Sequence, residues 1–521
     1  MVGFEKIKLH NPIENKNRNH RKSFDPIIFF LSFQMKTGNT GGGGCPDPEG
    51  DHLLPPLSMH MQNRAWRKIQ DWSLLYAILK VWVSFWHNWI YYRRVIVLNS
   101  NKIPANTPLI FAPNHQNALM DALAVLCTFR GQPVFLARAD IFRKKFIARI
   151  LHFLKMLPVY RIRDGISTLK NNDAVFLKTV EVIGKKRGLV ILPEGNHAAY
   201  KRLRNLKKGI SRIAFQAEES AEFKMGIQII PVGLDFIHYN KVRSTLLVNY
   251  GDPIPVSCFS DAYRKDPQKG MNALLQVLAN RMKEVMIHIE SESFYQTYLS
   301  LFDIYMKRMK ELFGISITGH RNRFHAQRKM VSILDKLQKT RPDMMQQLYL
   351  KTKTYSLKLK KVGFRDNFIS GSLLSPVPMI LRGIALVAAF PLFLYGWIFN
   401  MLPVYLAKHF ANKSSDPVFR SSLTFGLTFA FFPLHYLFLF IISLIVFSHF
   451  LPVLLFMVTL PPAGILVSYY ADGAEDYLFR LKLLVLSLRK KGLLKNLRNS
   501  RREIISLLDQ WIKEARMAGA V

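Results

Sequence analysis

The stretch PLIFAPNHQNALMDAL, residues 108–123, indicates both how the chain folds and where its chemistry lies. Its first half is a short apolar run that predicts a buried strand ending near Pro113. Its second half has the apolar spacing of a helix that begins near Asn117. The loop between them contains His115, and Asp121 follows in the first turns of the helix. A strand that leads directly into a helix is the repeating unit of α/β domains.

The same alternation continues through residues 95–260. Helical patterns separate most of the apolar runs of strand length, which are VIVLNS, PLIFAPN, PVFLARA, LPVYRI, GLVILPEG, IQIIPVGLDF and TLLVNYGDPI. This order predicts an α/β domain with a mostly parallel sheet. Because ligands of such sheets bind at the carboxyl ends of the strands, polar side chains that follow a strand are the first candidates for a site.

Composition narrows the class of partner. The chain of 521 residues has 73 Lys and Arg against 35 Asp and Glu, a formal net charge of +38, together with 38 Phe. Such an excess of positive charge predicts an anionic neighbour, and so many aromatic residues favour a membrane over nucleic acid. Three widely spaced cysteines, Cys45, Cys127 and Cys258, indicate neither a disulfide framework nor a metal site, so a reducing compartment is expected.

The rest of the chain divides by composition. Residues 1–60, which contain NTGGGGCPDPEGDHLLPP, predict a disordered segment. Residues 61–94 carry an aromatic helical run bounded by basic residues, which suits the membrane interface. Residues 261–375 predict a basic helical extension, residues 376–471 a hydrophobic membrane region, and residues 472–521 a basic helical tail. The expected architecture is an α/β domain followed by a helical extension and a C-terminal transmembrane helical region.

The membrane region contains two stretches without a charged residue, residues 383–407 and residues 421–471. About 20 apolar residues cross a bilayer, so the second stretch has room for two spans with a turn near Pro452. The first stretch contains Pro391 and Pro403, which we expect to break it into a re-entrant or interfacial segment. An even number of crossings then keeps the α/β domain and the basic tail on the cytosolic side, which positive charge near a span end favours.

His115 and Asp121 predict base chemistry if the loop brings them together. Residues six apart do not meet on one face of a helix, so the loop would have to fold back. The carboxylate would then fix the imidazole tautomer, and the other ring nitrogen could remove a proton from a hydroxyl group. The alternative is a surface His and an Asp that merely suits a helix N-terminus.

Two further polar clusters follow strands. Arg161 and Arg163 lie two residues apart at a strand end and share a side, where guanidinium groups suit a phosphate; solvated charge is the alternative. Glu194 and Gly195 follow the strand GLVILPEG. A carboxylate there can hold an Arg or a substrate hydroxyl, and Gly195 lets the backbone approach a ligand closely. The basic residues that follow are Lys201, Arg202, Arg204, Lys207 and Lys208.

In this order and spacing, these blocks resemble the glycerolipid acyltransferase superfamily, which includes the glycerol-phosphate and lysophosphatidate acyltransferases. The resemblance covers about residues 90–260 and implies that His115 is the general base and Asp121 its orienting carboxylate. The matching blocks are Asn114-His115 with Asp121, Val159-Tyr160-Arg161, Pro193-Glu194-Gly195 with LRNLKKG at residues 203–209, and Ile229-Ile230-Pro231. The expected substrate-binding residues are Asn114, Arg161, Arg163, Glu194, Gly195, Lys201 and Arg202.

One position departs from the family pattern. The family's Thr-Arg after Glu-Gly is Asn196-His197 here, and that Arg normally helps to hold the acceptor phosphate. The resemblance therefore leaves the acceptor open, and Arg161, Lys201 or Arg202 could take the place of the missing Arg.

The implied function is that of a membrane-bound O-acyltransferase of phospholipid biosynthesis. It would move a fatty acyl group from acyl-CoA or acyl-ACP, the acyl carrier protein, to the hydroxyl of glycerol-3-phosphate or a related acceptor. Membrane lipids are the expected partners, and neither a bound cofactor, a metal nor nucleic acid is expected. The catalytic domain is expected to face the cytosol.

Three alternatives remain open from the sequence. A related enzyme could acylate lysophosphatidate or an amino-acid lipid. A non-catalytic membrane scaffold could use its charge to bind anionic lipid and would need no particular residue at positions 115 and 121. A metal hydrolase could use His115, Asp121, Glu194 and His197, although their spacing matches no standard zinc signature.

Overall fold

The central element of the chain is an eight-stranded sheet. The computed structural model describes residues 68–160, 171–369, 376–489 and 491–517. The strands are β1 Tyr92–Leu98, β2 Leu109–Pro113, β3 Val134–Arg138, β4 Met156–Val159, β5 Leu189–Val190, β6 Gln228–Phe236, β7 Ser244–Tyr250 and β8 Ile254–Pro255. They follow the order β1-β7-β6-β2-β5-β3-β4, and β8 pairs with β6.

Most neighbouring strands run parallel, which confirms the predicted sheet. β6 pairs antiparallel with β7 and β8, and the other pairings are parallel. β2 lies between β5 and β6 and is parallel to both. The loops that follow β2 and β5 therefore begin side by side at the carboxyl edge of the sheet.

Helices cover both faces of the sheet and continue to the end of the described chain. They are α1 Leu74–Phe85, α2 Leu119–Thr128, α3 Lys145–Phe153, α4 Asn171–Gly184, α5 Gly209–Ser220, α6 Ser260–Lys265, α7 Pro267–Val285, α8 Tyr295–Ile304, α9 Met306–Phe313, α10 Gly319–Thr340, α11 Pro342–Val362, α12 Asp366–Ile369, α13 Pro376–Asn412, α14 Arg420–Val446, α15 Phe450–Arg489 and α16 Lys491–Met517. A π-helical segment, Trp86–Tyr91, joins α1 to β1.

The two faces of β2 show why its sequence is apolar throughout. All five residues of the strand are buried. Ile110 belongs to the core formed with α4, α5 and α7, whereas Phe111 belongs to the core formed with α2 and β7. A strand covered on both faces reads as a continuous apolar run, because alternate side chains enter different cores.

The helical extension and the C-terminal tail share one core. Tyr298 of α8, Leu334 of α10 and Trp511 of α16 lie in the same buried cluster, together with Leu98 of β1 and Leu247 of β7. The tail is therefore packed onto the extension, and both lie against the β1 side of the sheet.

Three helices in the described chain are long and apolar enough to cross a membrane: Val377–Asn412, Arg420–Val446 and Phe450–Arg489. The first of them corrects a prediction. Pro391 and Pro403 lie inside α13, which is continuous from Pro376 to Asn412, so the expectation that they break it is wrong. Prolines are tolerated in apolar helices where neighbouring helices satisfy the backbone groups that they leave free.

The turn between the last two of these helices lies just before the predicted position. α14 ends at Val446 and α15 begins at Phe450, so Pro452 occupies the first turn of α15 rather than the turn itself. A proline in the first helical turn sacrifices no hydrogen bond, because the amide it lacks would have no partner within the helix.

Candidate active site

The loop that follows β2, residues 114–118, is anchored at its first residue. Asn114 is fully buried, and its Nδ2 donates to the Leu234 carbonyl at 3.2 Å. Its Oδ1 in turn accepts from the Leu234 amide at 2.6 Å. Both bonds reach β6, so the Asn114 side chain extends the sheet pairing by one residue and fixes where the loop starts.

The loop then folds back over the start of α2. Nδ1 of His115 lies 2.8 Å from Oδ2 of Asp121, and the Asn117 amide donates to the same oxygen at 2.7 Å. Ala118 provides the reversal with φ of 50° and ψ of −124°. Non-glycine residues rarely occupy positive φ, and such backbones cluster at functional sites.

His115 and Asp121 are arranged as a general base and an orienting carboxylate would be. Asp121 is fully buried, whereas the His115 side chain remains 13% exposed. Because the carboxylate accepts at Nδ1, the proton of the neutral imidazole lies there and Nε2 keeps its lone pair. Nε2 has no hydrogen-bond partner within the described chain, so it is available to a substrate hydroxyl.

Glu194 connects this loop to the loop that follows β5. Its buried carboxylate accepts from the His115 amide at Oε1, at 2.7 Å, and from Nε of Arg204 at Oε2, at 2.7 Å. Burial raises the pKa of Glu194, although these hydrogen bonds oppose that rise. Gly195 then turns the chain with φ of 76°. Glu194 therefore lies beneath His115 and fixes its backbone.

Arg204 is a residue that the sequence pattern did not single out. Besides Glu194, its guanidinium donates to the His115 carbonyl at 3.1 Å and to Oδ1 of Asn196 at 2.7 Å. One side chain thus holds both loops. In the sequence it is one of several basic residues in a row, and only the fold distinguishes it from Lys201 and Arg202.

Lys201 and Arg202 each have an acidic partner. Nζ of Lys201 pairs with Asp235 at the end of β6, and Arg202 pairs with Glu292 before α8. Both residues follow the loop that contains Glu194 and lie near the site, but their charge is compensated within the protein. Two other expected binding residues, Arg161 and Arg163, lie outside the described residues.

A second imidazole lies beside the first. The ring of His197 is 5.3 Å from that of His115, centroid to centroid, and meets it edge-on. Nε2 of His197 is 2.7 Å from Oδ2 of Asp416, a residue between α13 and α14. Burial opposes charge on Asp416, but the hydrogen bonds from His197 and the Val418 amide outweigh it and lower the pKa of this carboxyl.

The start of α14 also contacts the His115 loop. Oγ of Ser421 donates to Oδ1 of the buried Asn117 at 2.5 Å, and Oγ of Ser422 accepts from the Leu119 amide at 3.2 Å. Tyr91 adds a bond from its hydroxyl to the Ser421 carbonyl at 3.0 Å. One of the three long apolar helices is therefore bonded directly to the loop that carries His115.

The arrangement does not favour the metal-hydrolase alternative. His115 and His197 each bond a different carboxylate, and Glu194 is occupied by an amide and by Arg204. Among the residues that the structure describes, no three His, Cys, Asp or Glu side chains are placed to hold a metal ion.

Known proteins are similar to part of this chain. Residues 94–235 match the family model described as Acyltransferase. Glycerol-3-phosphate O-acyltransferase 2 of Saccharomyces cerevisiae is 28% identical over 116 residues, which are 22% of this chain and 16% of that protein. The 1-acyl-sn-glycerol-3-phosphate acyltransferase of Borreliella burgdorferi is 29% identical over 146 residues, 28% of this chain and 53% of that protein. The chain thus spans at most about half the length of either relative.

One solved structure also aligns with part of this chain. The crystal structure of the 1-acyl-sn-glycerophosphate acyltransferase PlsC from Thermotoga maritima aligns with 16% sequence identity and a TM-score of 0.30. The alignment covers 40% of this chain and 79% of that one.

Proposed function

We propose, because residues 94–235 match the family model described as Acyltransferase, that this chain is a membrane-bound O-acyltransferase of phospholipid biosynthesis. It moves a fatty acyl group from acyl-CoA or acyl-ACP to the hydroxyl of glycerol-3-phosphate or a related acceptor. The observation that carries the proposal is the bond of 2.8 Å between His115 and Asp121, which leaves Nε2 of the imidazole free.

The proposed reaction uses that geometry. Nε2 of His115 accepts the proton of the acceptor hydroxyl, while Asp121 stabilises the imidazolium that forms. The acceptor oxygen attacks the thioester carbonyl carbon and gives a tetrahedral intermediate. The intermediate collapses by cleavage of the carbon–sulfur bond, and the departing thiolate takes the proton back from Nε2. The acyl group is then on the acceptor oxygen, the proton is on the thiol, and His115 has returned to its starting state.

The membrane location is supported by apolar surface outside the three long helices as well. Leu75, Val81 and Trp89, on α1 and the π-helical segment after it, are 64%, 70% and 69% exposed. Contiguous exposed apolar side chains on a soluble protein mark an interaction surface, and aromatic residues favour the lipid interface. We place the catalytic domain on the cytosolic side, where acyl thioesters are made.

A second acceptor class is supported by a specific observation. The Borreliella burgdorferi relative, named for 1-acyl-sn-glycerol-3-phosphate, is 29% identical over 146 residues. That acceptor and glycerol-3-phosphate both carry a phosphate monoester, so the same base and a similar anion contact would serve either. A scaffold without catalysis would not require the buried Asp121 or the strained Ala118.

The test is an acyl-transfer assay with the purified full chain in detergent or proteoliposomes. Acyl-CoA and acyl-ACP are each offered with glycerol-3-phosphate, lysophosphatidate and a hydroxylated amino-acid lipid, with wild type beside His115→Ala. Transfer to a phosphorylated acceptor that depends on His115 supports the proposal. Folded wild-type protein that acylates none of these acceptors would contradict it.

A further inference from the structure

The segment that leads from the end of α13 to the first residue of α14 lies at the candidate active site, and we call these residues, 413–420, the linker. Asp416 of the linker holds His197, and the carbonyl of Pro417 accepts from Nδ2 of Asn240 at 3.4 Å. Ser421, directly after the linker, bonds Asn117 of the His115 loop. The linker is therefore part of the wall around the base, although it is distant in sequence.

Most cations around His115 are already compensated by carboxylates of the chain. Arg204 is bonded to Glu194, Lys201 to Asp235 and Arg202 to Glu292. His197 is bonded to Asp416 through Nε2 only, and its Nδ1 has no partner within the described residues. None of the three paired cations supplies a net positive charge to a substrate.

Arg420, the last residue of the linker, differs from these cations. Within the described chain no carboxylate lies within 4.0 Å of its guanidinium, and its one hydrogen bond goes to the Ser414 carbonyl at 3.4 Å. Its Nε is buried and has no acceptor among the described residues. A partly buried guanidinium without a counter-ion is unfavourable, so an anion that binds beside it would be stabilised.

The position of Arg420 in the fold adds to that preference. Arg420 is also the first residue of α14, a helix of 27 residues, and helix N-termini attract anions. Arg420 directly precedes Ser421, which contacts the His115 loop, and follows four residues after Asp416, which holds His197. Guanidinium groups bind phosphate with parallel hydrogen bonds, and the one bond of Arg420 to a described residue leaves other N–H groups of its guanidinium free to donate.

We propose that Arg420, together with His197, binds the phosphate monoester of the acyl acceptor. The inference rests on the proposed function and specifies its acceptor site. A linker between two long apolar helices would thus supply the cation of the anion site, and the His115 loop would supply the base. The phosphate could belong to soluble glycerol-3-phosphate or to the headgroup of lysophosphatidate, since both present the same dianion.

The experiment compares Arg420→Gln with Lys413→Gln, which removes an equal charge from the exposed part of the same linker. We expect Arg420→Gln to raise the KM for the phosphorylated acceptor by about 10- to 100-fold, the range for a lost charged hydrogen bond. The acyl-donor KM should change little, and Arg420→Lys should fall between wild type and Arg420→Gln. Parallel assays with glycerol-3-phosphate and lysophosphatidate then identify which source of phosphate the site accepts.

Inorganic phosphate is a second probe. Its inhibition reports anion binding at the acceptor site, which a general change of protein structure would not alter selectively. It should inhibit the wild-type enzyme competitively against the acceptor and should inhibit Arg420→Gln much less. His197→Gln should weaken acceptor binding in the same direction, which keeps the test decisive if Arg420→Gln does not fold. Active variants with unchanged acceptor KM and unchanged phosphate inhibition would overturn the inference while leaving the acyltransferase proposal intact. Inactive wild type would instead contradict the proposed function.

Discussion

The backbone amide of His115 donates to Oε1 of Glu194 at 2.7 Å, and this bond joins the loops that follow two adjacent parallel strands, β2 and β5. His115, the proposed base, is therefore positioned by two carboxylates. Asp121 orients its ring, and Glu194 fixes its backbone. Arg204 neutralises Glu194 and also donates to the His115 carbonyl. The charge on the buried Glu194 carboxylate therefore helps to fix the position of His115.

Replacing Glu194 by Gln tests that relationship. The Gln oxygen can still accept from the His115 amide, but Arg204 loses its carboxylate partner, and a partly buried unpaired cation is unfavourable. We expect kcat to fall by about 10- to 100-fold with modest changes in both KM values. Steady-state kinetics measure this effect. The matched control is Glu222→Gln, which removes a carboxylate from an exposed surface pair with Lys224 and should leave kcat unchanged.

The pH dependence of stability gives a second test of Glu194. Burial raises its pKa in the folded chain above the ordinary value of 4.5, so between these two values the folded state binds more protons than the unfolded state. Stability contributed by this group therefore falls as pH rises through that window and is constant above it. We expect the melting temperature of wild type, relative to Glu194→Gln, to decrease as pH rises from about 4.5. If the difference in melting temperature between wild type and Glu194→Gln does not vary with pH, the pKa of Glu194 is not raised in the folded chain.

The base itself has the largest expected effect. His115→Ala should lower kcat by at least about 100-fold, the lower end for general-base catalysis, with folding intact. Asp121→Asn should also lower it, since the amide can stabilise the wrong tautomer and cannot stabilise the imidazolium. The control is His325→Ala, an exposed histidine on α10. Near-normal turnover by folded His115→Ala would remove the proposed mechanism.

Local pattern was sufficient to predict the strand-loop-helix unit around His115. The continuous apolar run of β2 and the helical spacing of α2 are encoded within a few residues, and so is the order of the polar blocks. The reversal at Ala118 was not readable, because alanine rarely adopts positive φ and nothing in its type signals the turn. The sequence therefore indicated that His115 and Asp121 could pair, but not the backbone that brings them together.

Contacts between distant segments were beyond the reach of sequence pattern. Asp416 and Ser421 complete the site from more than 200 positions away, and Arg204 was one cation in a basic run until the fold placed it against Glu194. The prediction that the helix breaks at Pro391 was wrong for a related reason. Proline propensity describes a helix in water, whereas packing against neighbouring apolar helices keeps α13 continuous.

The bond between Ser421 and Asn117 predicts that α14, one of the three candidate membrane helices, supports turnover. Ser421→Ala leaves Oδ1 of the buried Asn117 without its donor, which costs about 1–3 kcal/mol and loosens the His115 loop. We expect a several-fold lower kcat, with partial recovery in Ser421→Thr. Ser443→Ala is the matched control, because that serine lies in the same helix and bonds only the carbonyl of Phe440 within it. Equal activity of the Ser421 and Ser443 variants would show that the hydrogen bond between Ser421 and Asn117 does not affect turnover.

The contacts of α14 and α15 with the α/β domain predict the path of the chain through the membrane. α14 starts at that domain, where Ser421 bonds Asn117, and α15 returns to it, where Asp472 pairs with Lys241 at 2.9 Å. The chain between them leaves the domain and comes back. The turn between the two helices should therefore lie on the opposite side of the membrane from the domain.

The contacts at the ends of α13 also favour an even number of membrane crossings. Arg382 pairs with Asp476 at 3.2 Å, one helical turn from Asp472, and Asp416 beyond the other end holds His197. Residues near both ends of α13 are therefore linked to the α/β domain, the first through α15 and the second through the linker. We expect α13 to add no net crossing despite its length, so that the number of full crossings is two and the tail lies with the catalytic domain.

Cysteine labelling in sealed vesicles of known orientation decides the path. In a background without Cys45, Cys127 and Cys258, Ser448→Cys in the turn should react with a membrane-impermeant maleimide only from the non-cytosolic face. Lys495→Cys, exposed on α16, should react only from the cytosolic face, because an even number of crossings returns the tail to the side of the α/β domain. Labelling of both positions from one face would contradict the hairpin. Labelling of position 495 from the non-cytosolic face would mean that all three long helices cross and that α13 is a full span.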